Sequence, residues 1–280
     1  MPMSTIKLSQ MYIYPVKSLP GISVDHAILT PQGLLNDRRW MLVDEKKRFI
    51  TQRLYPRLAL LKVSLSDNSI HIKLPNNKLI VLALHPESGS ELKVKVWKDE
   101  VLAIQTDDTS NRIISEFLGI SCQFVFMPET TVRRVDPEFS ITTTDQVSFA
   151  DGFPLLLISE SSLQDLNHRL AMKNISPLPM IRFRPNIVVN GCDAFAEDFW
   201  GKFMVGENHL LAVKPCSRCV MTTVNPETGE KGTEPLATLL EYRKTGNKAY
   251  FGQNVLLDVT QENSMSLSIG DEVRITQSDS

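Results

Sequence analysis

The chain has 280 residues, 42% of them apolar and 22% charged, with a formal net charge of -2 and a sequence pI near 6.2. That balance belongs to a soluble globular protein with room for one or two domains, and it excludes disordered and fibrous classes. Bulk charge offers nothing to nucleic acid or an anionic membrane, so any anion site must be a local cluster of basic residues.

In chain order, the first hundred residues read mostly as strands. Candidates lie at residues 6–14, 40–43, 48–51, 58–63, 70–74, 79–84, 92–97 and 101–105, with Asn, Asp, Gly, Pro or Ser in the connectors. Strands at this interval predict a barrel or sandwich. Helices are few. Ile113, Ile114, Phe117 and Leu118 share one face of a helix over 109–118 that Gly119 would stop. Ser159 is placed to cap a helix over 160–171, and Pro235 opens a third over 236–243. The stretch 128–145 is polar, punctuated by Pro128 and Pro137 and without sustained period, which marks a boundary. The expected class is mainly β with a few helices, divided into residues 1–127 and 128–280.

No apolar run reaches the roughly 20 residues of a membrane span, and the stretch from Met1 to Lys7 lacks an apolar leader core. A cytoplasmic protein with no nucleic-acid or membrane partner is expected. Four cysteines, Cys122, Cys192, Cys216 and Cys219, do not make a disulfide framework in a chain of 280 residues.

The most informative stretch is Lys214-Pro-Cys-Ser-Arg-Cys219, where two thiols flank Arg218 at the end of an apolar run. A nearby cation favours thiolate, the form that attacks carbon or sulfur and binds soft metals. Four uses compete. Zinc would need two more soft ligands, and His26, His71, His85, His168 and His209 form no pair at ligand spacing. A thioredoxin-like dithiol would need a helix directly after Cys219, where Thr222, Thr223, Val224 and Pro226 stand instead. Inert packing suits Cys122 and Cys192. Ligation of a cofactor metal by one thiolate is the fourth use.

Basic residues recur at strand ends: Lys17-Ser18 after Tyr14-Pro15, Arg38-Arg39 after Asp37, and Arg182 and Arg184 ahead of an apolar run at 187–189. Singly each reads as surface charge. With Arg218 they make a composite anion site plausible, since Arg and Lys reach phosphate or a polar heterocycle. Arg133-Arg134 would guard an entrance or sit on the surface. Asp145 and Asp151 would relay protons or cap turns.

Tyr14-Pro-Val-Lys-Ser18, Asp37-Arg-Arg-Trp40, Phe149-Ala-Asp-Gly-Phe-Pro154, Phe183-Arg-Pro-Asn186, Lys214-Pro-Cys-Ser-Arg-Cys219 and Phe251-Gly-Gln-Asn254 occur in this order. In them the chain resembles the MOSC-domain proteins of the YcbX and mitochondrial amidoxime-reducing type, over almost its whole length. The resemblance implies an N-terminal MOSC-associated β-barrel domain (1–127) and a β-barrel-centred MOSC domain (128–280) that together hold a molybdenum cofactor, Mo-molybdopterin. It assigns Cys219 as the molybdenum thiolate and catalytic ligand. It places Lys17, Ser18, Arg38, Asp151, Gly152, Arg184, Ser217, Arg218 and Asn254 against the pterin or its phosphate. Two departures stand out. Asn254 occupies the position where the animal relatives have Tyr, and the chain stops at Ser280 without the C-x4-C-x2-C cysteines of the ferredoxin domain that follows in bacterial relatives.

The expectation is a molybdenum-dependent reductase of N-hydroxylated small molecules such as hydroxylaminopurines, amidoximes or hydroxylamines. Electrons would come from a separate ferredoxin- or flavoprotein-type donor. The rivals are persulfide transfer through Cys219 and a non-catalytic molybdopterin carrier.

Overall fold

A computed structural model describes residues 5–105 and 108–278. In chain order, β1 (Lys7–Ile13), β2 (Ile22–Ser23), β3 (His26–Thr30), β4 (Gly33–Leu34) and β5 (Trp40–Asp44) come first. β6 (Lys62–Ser66), β7 (Ser69–Lys73), β8 (Leu79–Ala83), β9 (Ser90–Val96), β10 (Asp99–Gln105), α1 (Asp108–Leu118) and β11 (Cys122–Phe126) complete the first part. After a long irregular connector come β12 (Leu155–Ser159), α2 (Glu160–Met172), β13 (Ile187–Asn190), β14 (Trp200–Val205) and β15 (Asn208–Arg218). α3 (Leu236–Tyr242), β16 (Lys244–Thr245), β17 (Lys248–Leu257), β18 (Ser266–Ser268) and β19 (Val273–Ser278) end the chain. Among the described residues the fold is mainly β with three α-helices, as the turn-punctuated sequence predicts.

The largest sheet runs β19-β14-β15-β17-β12-β13-β1-β2, with β16 paired to β17. It curls on itself. The start of β1 reaches the start of β19 through a bridge between Lys7 and Glu272 and through the Val273 N–H donating to the Ile6 carbonyl at 2.8 Å. Leu8, Met11, Leu157, Ile187, Phe203, Leu210, Val255 and Val273 fill the interior. A fully buried Leu, Ile or Phe is worth about 1.5–3 kcal/mol, so this core alone justifies the closure. β12 is buried along its whole length because it has the barrel core on one face and α2 on the other. That explains its unbroken apolar sequence Leu155-Leu-Leu-Ile158. β12, α2 and the parallel β13 form one crossover unit, and the Ser159 hydroxyl accepts the Ser162 N–H at 3.1 Å to cap α2.

The first part packs a four-stranded sheet, β5-β11-β10-β9, and a three-stranded sheet, β6-β7-β8, around Trp40, Leu42, Ile72, Ile80 and Phe124. α1 closes one side. Asn111 accepts the Phe124 N–H at 2.7 Å, and Gly119 turns the chain at φ 70°. β1 crosses between the parts. It belongs to the first part in sequence and pairs with β13 of the second.

Two strand expectations are corrected. Residues 58–63 do not form one strand: Pro56 opens a 3-10 turn, Pro56–Leu60, and pairing begins only at Lys62. Proline supplies no N–H, which suits a first turn and not a ladder. Residues 48–51 make only isolated bridges, Arg48 to Lys95 and Val43 to Phe49, because the turn after β5 leaves too little chain for a ladder.

Candidate functional site

The cleft that matters opens where the barrel wall meets the first part. Segments following β1 and preceding β13, hydrogen-bonded to each other, build its floor. Tyr14, just past β1, is fully buried. Its N–H donates to Asp37 at 2.8 Å and its hydroxyl to the Pro185 carbonyl at 3.1 Å. Arg38 lies 4.4 Å and Arg184 4.1 Å from the centre of the Tyr14 ring, so one aromatic ring carries two guanidinium groups. Gly21 permits this packing, since a Cβ there would come within 2.4 Å of the ring.

Arg38 is fixed by Asp37 at 2.5 Å, by Asn186 Oδ1 at 3.1 Å and by the Arg184 carbonyl at 3.3 Å. Arg184 donates to the Leu19 carbonyl at 2.6 Å. Burial, then the like charge of Arg38, pushes the Arg184 guanidinium down to about 10. Ser18, Arg38 and Arg184 have φ of 66°, 51° and 59°. Left-handed backbone at a residue other than glycine is uncommon and costly, and such residues gather at functional sites.

Lys17 donates from a buried Nζ to the Phe149 carbonyl at 2.7 Å and to Asp151 at 2.5 Å. Burial pushes its ammonium down to about 8, against the opposing pull of Asp151. For Asp151, desolvation would raise the carboxyl, but Lys17 and then Arg53 outweigh it and hold the group below the usual carboxylate range. The 148–151 loop that presents Asp151 is organised by Arg133. This buried side chain pairs with Asp99 at 2.8 Å and donates to the carbonyls of Ser148, Ala150 and Asp151 at 2.9, 2.6 and 3.0 Å. Arg133 is therefore a scaffold residue rather than an entrance guard. Asp145 is a turn cap, accepting the Ile141 and Thr142 N–H groups at 2.6 and 3.0 Å.

The opposite wall is the end of β15 and the turn after it. Pairing with β17 slips twice, between Ala212 and Lys214 and between Pro215 and Ser217, so the strand bulges as it enters the cleft. Cys219 begins a single 3-10 turn, Val220–Thr223, whose Thr222 N–H and hydroxyl both bond the Cys219 carbonyl. Arg182 pins that turn by donating to the Thr222 and Thr223 carbonyls at 2.8 and 3.0 Å. The two thiols face different cations. Arg218 Nη1 lies 3.0 Å from Cys216 Sγ, while Arg53 Nη1 lies 3.9 Å from Cys219 Sγ. The cation beside Cys219 is thus not its sequence neighbour. Away from the cleft, burial pushes the Cys122 thiol up, and burial with Glu197 pushes Cys192 up to about 11, which suits inert packing.

Lys17, Ser18, Arg38, Asp151, Gly152, Arg184, Ser217, Arg218, Cys219 and Asn254 all line this one cleft. Arg53 and Arg182 join them, giving six cationic side chains (Lys17, Arg38, Arg53, Arg182, Arg184, Arg218) against the single carboxylate of Asp151. Arg53 was missed in the sequence because nothing around Thr51-Gln-Arg53 marks it. Gly152 has φ outside the left-handed region, and a Cβ there would meet open space, so the cleft has room against that backbone.

Among the described residues, no three His, Cys, Asp or Glu side chains come close enough to hold a metal ion. The donor set does not suit a bare ion. A cysteine thiol facing a cation-lined cleft suits a metal that brings its own ligands on an anionic carrier.

Residues 5–121 match the MOSC N-terminal beta barrel domain and residues 144–274 match the MOSC domain. Mitochondrial amidoxime-reducing component 1 of Mus musculus is 34% identical over 283 residues, covering 95% of this chain and 81% of that protein. Mitochondrial amidoxime reducing component 2 of Rattus norvegicus is 36% identical over 247 residues, covering 84% and 72%. The chain belongs to the family of MOSC proteins that includes the mitochondrial amidoxime-reducing components. A molybdenum cofactor sulfurase from Oryza sativa subsp. japonica is 33% identical over 265 residues, covering 89% of this chain but 32% of that longer protein.

Proposed function

We propose that this protein holds the molybdenum cofactor in the cation-lined cleft and reduces N-hydroxylated small molecules. The observation that carries the reading is the half-buried Cys219 thiol opening onto the same cleft as Lys17, Arg38, Arg184 and Arg218. Kinship with amidoxime-reducing components supports the reaction class, and kinship with a molybdenum cofactor sulfurase supports the cofactor. When bound, the cofactor supplies a two-electron reduction, so that an N–OH group plus two electrons and two protons gives N–H and water.

The chain's own residues bind and orient. Arg38 and Arg184, rigid on Tyr14, would grip the anionic tail by charge-assisted hydrogen bonds, and the buried Lys17 ammonium adds a third charge. Gly152 would let the cofactor approach the backbone, and Asn254, whose amide donates to the Lys214 carbonyl at 3.2 Å, would face the pterin. Cys219 would ligate the metal, its position set by the Arg182-pinned turn. Electrons would come from a separate ferredoxin- or flavoprotein-type donor.

The test is elemental analysis of protein purified from a host that makes molybdopterin, with turnover of a benzamidoxime or N-hydroxylated nucleobase under a low-potential dye. Stoichiometric molybdenum and turnover support the reading. Molybdenum with no turnover under a competent donor favours a carrier, and a trappable persulfide on metal-free Cys219 favours sulfur transfer.

A further inference from the structure

The six cations of the cleft are not equivalent. Arg38 commits donors to a carboxylate, a side-chain amide and a main-chain carbonyl, and Arg184 commits one to a main-chain carbonyl, both stacked on Tyr14. Arg182 spends its donors on two main-chain carbonyls. Arg218 is divided between the Phe183 carbonyl at 2.6 Å and Cys216. Arg53 is held differently. Its guanidinium lies 4.6 Å from the centre of the Trp97 ring and 6.0 Å from that of Phe49. Among the described residues it forms no ion pair with a carboxylate, and its one polar side-chain contact is the long approach to Cys219 Sγ. The π faces fix where it sits and leave its N–H edges unspent.

The support beneath it is built. Trp97 stands at φ 55° in the hairpin between β9 and β10, tilted against Phe49 at 5.0 Å, and its indole N–H donates to Asp151 at 3.2 Å. It is nonetheless 43% exposed, and Leu54, beside Arg53, is 71% exposed. The two-residue hairpin turn accounts for the left-handed backbone, but not for an exposed indole stacked against Arg53 and bonded to Asp151. The Lys231 ammonium, donating to the Arg53 carbonyl at 2.6 Å, ties this corner to the loop after Cys219.

We infer that Arg53, seated on Trp97 at the rim, forms the substrate-binding end of the cleft and receives the polar oxygen of the substrate beside Cys219. This rests on the reading of the cleft as a reductase site. Arg38 and Arg184 stand on Tyr14, where an anionic tail would be gripped, while Arg182 and Arg218 are bound into the opposite wall. Arg53 alone pairs an unspent fork of donors with contact to the Cys219 sulfur. The chemistry it recognises is a neutral or anionic oxygen carried on a flat, largely apolar body, which the exposed edge of Trp97 and Leu54 would accept. Aromatic amidoximes and N-hydroxylated heterocycles fit. Protonated aliphatic hydroxylamines would be repelled.

The test begins with cofactor-free protein and does not need turnover. The rate of Cys219 alkylation by anionic iodoacetate is divided by that for neutral iodoacetamide, resolved by peptide mass spectrometry, with Cys216 as internal reference. Arg53→Gln should lower this ratio at Cys219 by about tenfold, the effect of removing one partly screened charge at contact distance. The ratio at Cys216 should not change, and Arg53→Lys should restore most of the loss. In the loaded enzyme, Arg53→Gln and Trp97→Ala should raise KM for an aromatic amidoxime by about tenfold or more with molybdenum content unchanged. Arg53→Lys, lacking the planar fork, should recover charge but little of KM.

An unchanged Cys219 ratio in a folded Arg53→Gln protein overturns the assignment, whatever the enzyme turns over. A KM effect shared equally by a cationic aliphatic hydroxylamine overturns the selectivity. A lowered ratio in a protein whose wild type reduces no N-hydroxylated compound upholds Arg53 as the anion-receiving group and overturns the reductase reading instead.

Discussion

Lys17 Nζ stands 2.5 Å from a carboxylate oxygen of Asp151, and the two partners differ sharply in exposure: the lysine side chain is 6% accessible, the aspartate 62%. Burial brings the ammonium down to about 8 despite the pull of Asp151. An anion entering the cleft favours the charged form, so the bound state keeps its proton to higher pH than the empty cleft does.

A pH dependence with a definite sign follows from that pair. Affinity of the cofactor-free protein for inorganic pyrophosphate should be full below a pH of about 8. It should fall by up to about tenfold per unit as the free ammonium deprotonates above that. Calorimetry in buffers of different ionisation enthalpy should show proton uptake on binding near the midpoint. Lys17→Met should bind weakly at every pH and lose the dependence; a dependence that survives in Lys17→Met places the titrating group elsewhere.

The two thiols should separate cleanly on substitution. Cys219→Ala should abolish reductase turnover and reduce molybdenum content, because Cys216, the other thiol lining the cleft, is engaged by Arg218. Cys216→Ala, which leaves Arg218 its bond to the Phe183 carbonyl, should retain both. Metal analysis beside turnover reads the difference, and a Cys219→Ala protein with full molybdenum and full rate would end the ligand assignment.

Gly152→Ala probes whether something lies against that backbone. The added methyl meets no protein atom within 4 Å, so stability in urea should stay within about 0.5 kcal/mol of wild type. Cofactor content should nonetheless drop, since the same methyl would stand in the space a bound pterin needs.

Arg133→Ala should be costly in a different way. It leaves the Ser148, Ala150 and Asp151 carbonyls and the Asp99 carboxylate without their donor. Breaking a buried charge network of this kind costs about 3–5 kcal/mol, measurable by chemical unfolding. The loop carrying Asp151 should loosen, and cofactor content should fall together with stability, unlike in Gly152→Ala.

Much of the barrel was legible because its strands alternate or run apolar between turn residues, as Leu155-Leu-Leu-Ile158 does. The cap at Ser159 and the stop at Gly119 were equally readable, being local chemistry. Residues 58–63 were misjudged because periodicity cannot weigh one proline at the entry of an apolar run. In the site, Lys17, Arg38, Arg184 and Arg218 sat in recognisable strings, but which cation would meet which thiol depended on tertiary geometry. Sequence adjacency put Arg218 with Cys219. The bulge in β15 turns it to Cys216 instead, and Arg53 arrives from a distant loop. Arg133, reading as half of a surface basic pair, is buried because the loop it organises closes over it.

The β1–β13 pairing has a consequence for how the molecule is made. β1 must remain unpartnered on one side until the long stretch from Tyr14 to Asn186 has followed it out of the ribosome. Contacts of that span slow folding and leave a sticky edge waiting. A gene cut between the two matched segments would yield a second half whose cylinder lacks a stave, so the halves should dissolve and assemble only when produced together.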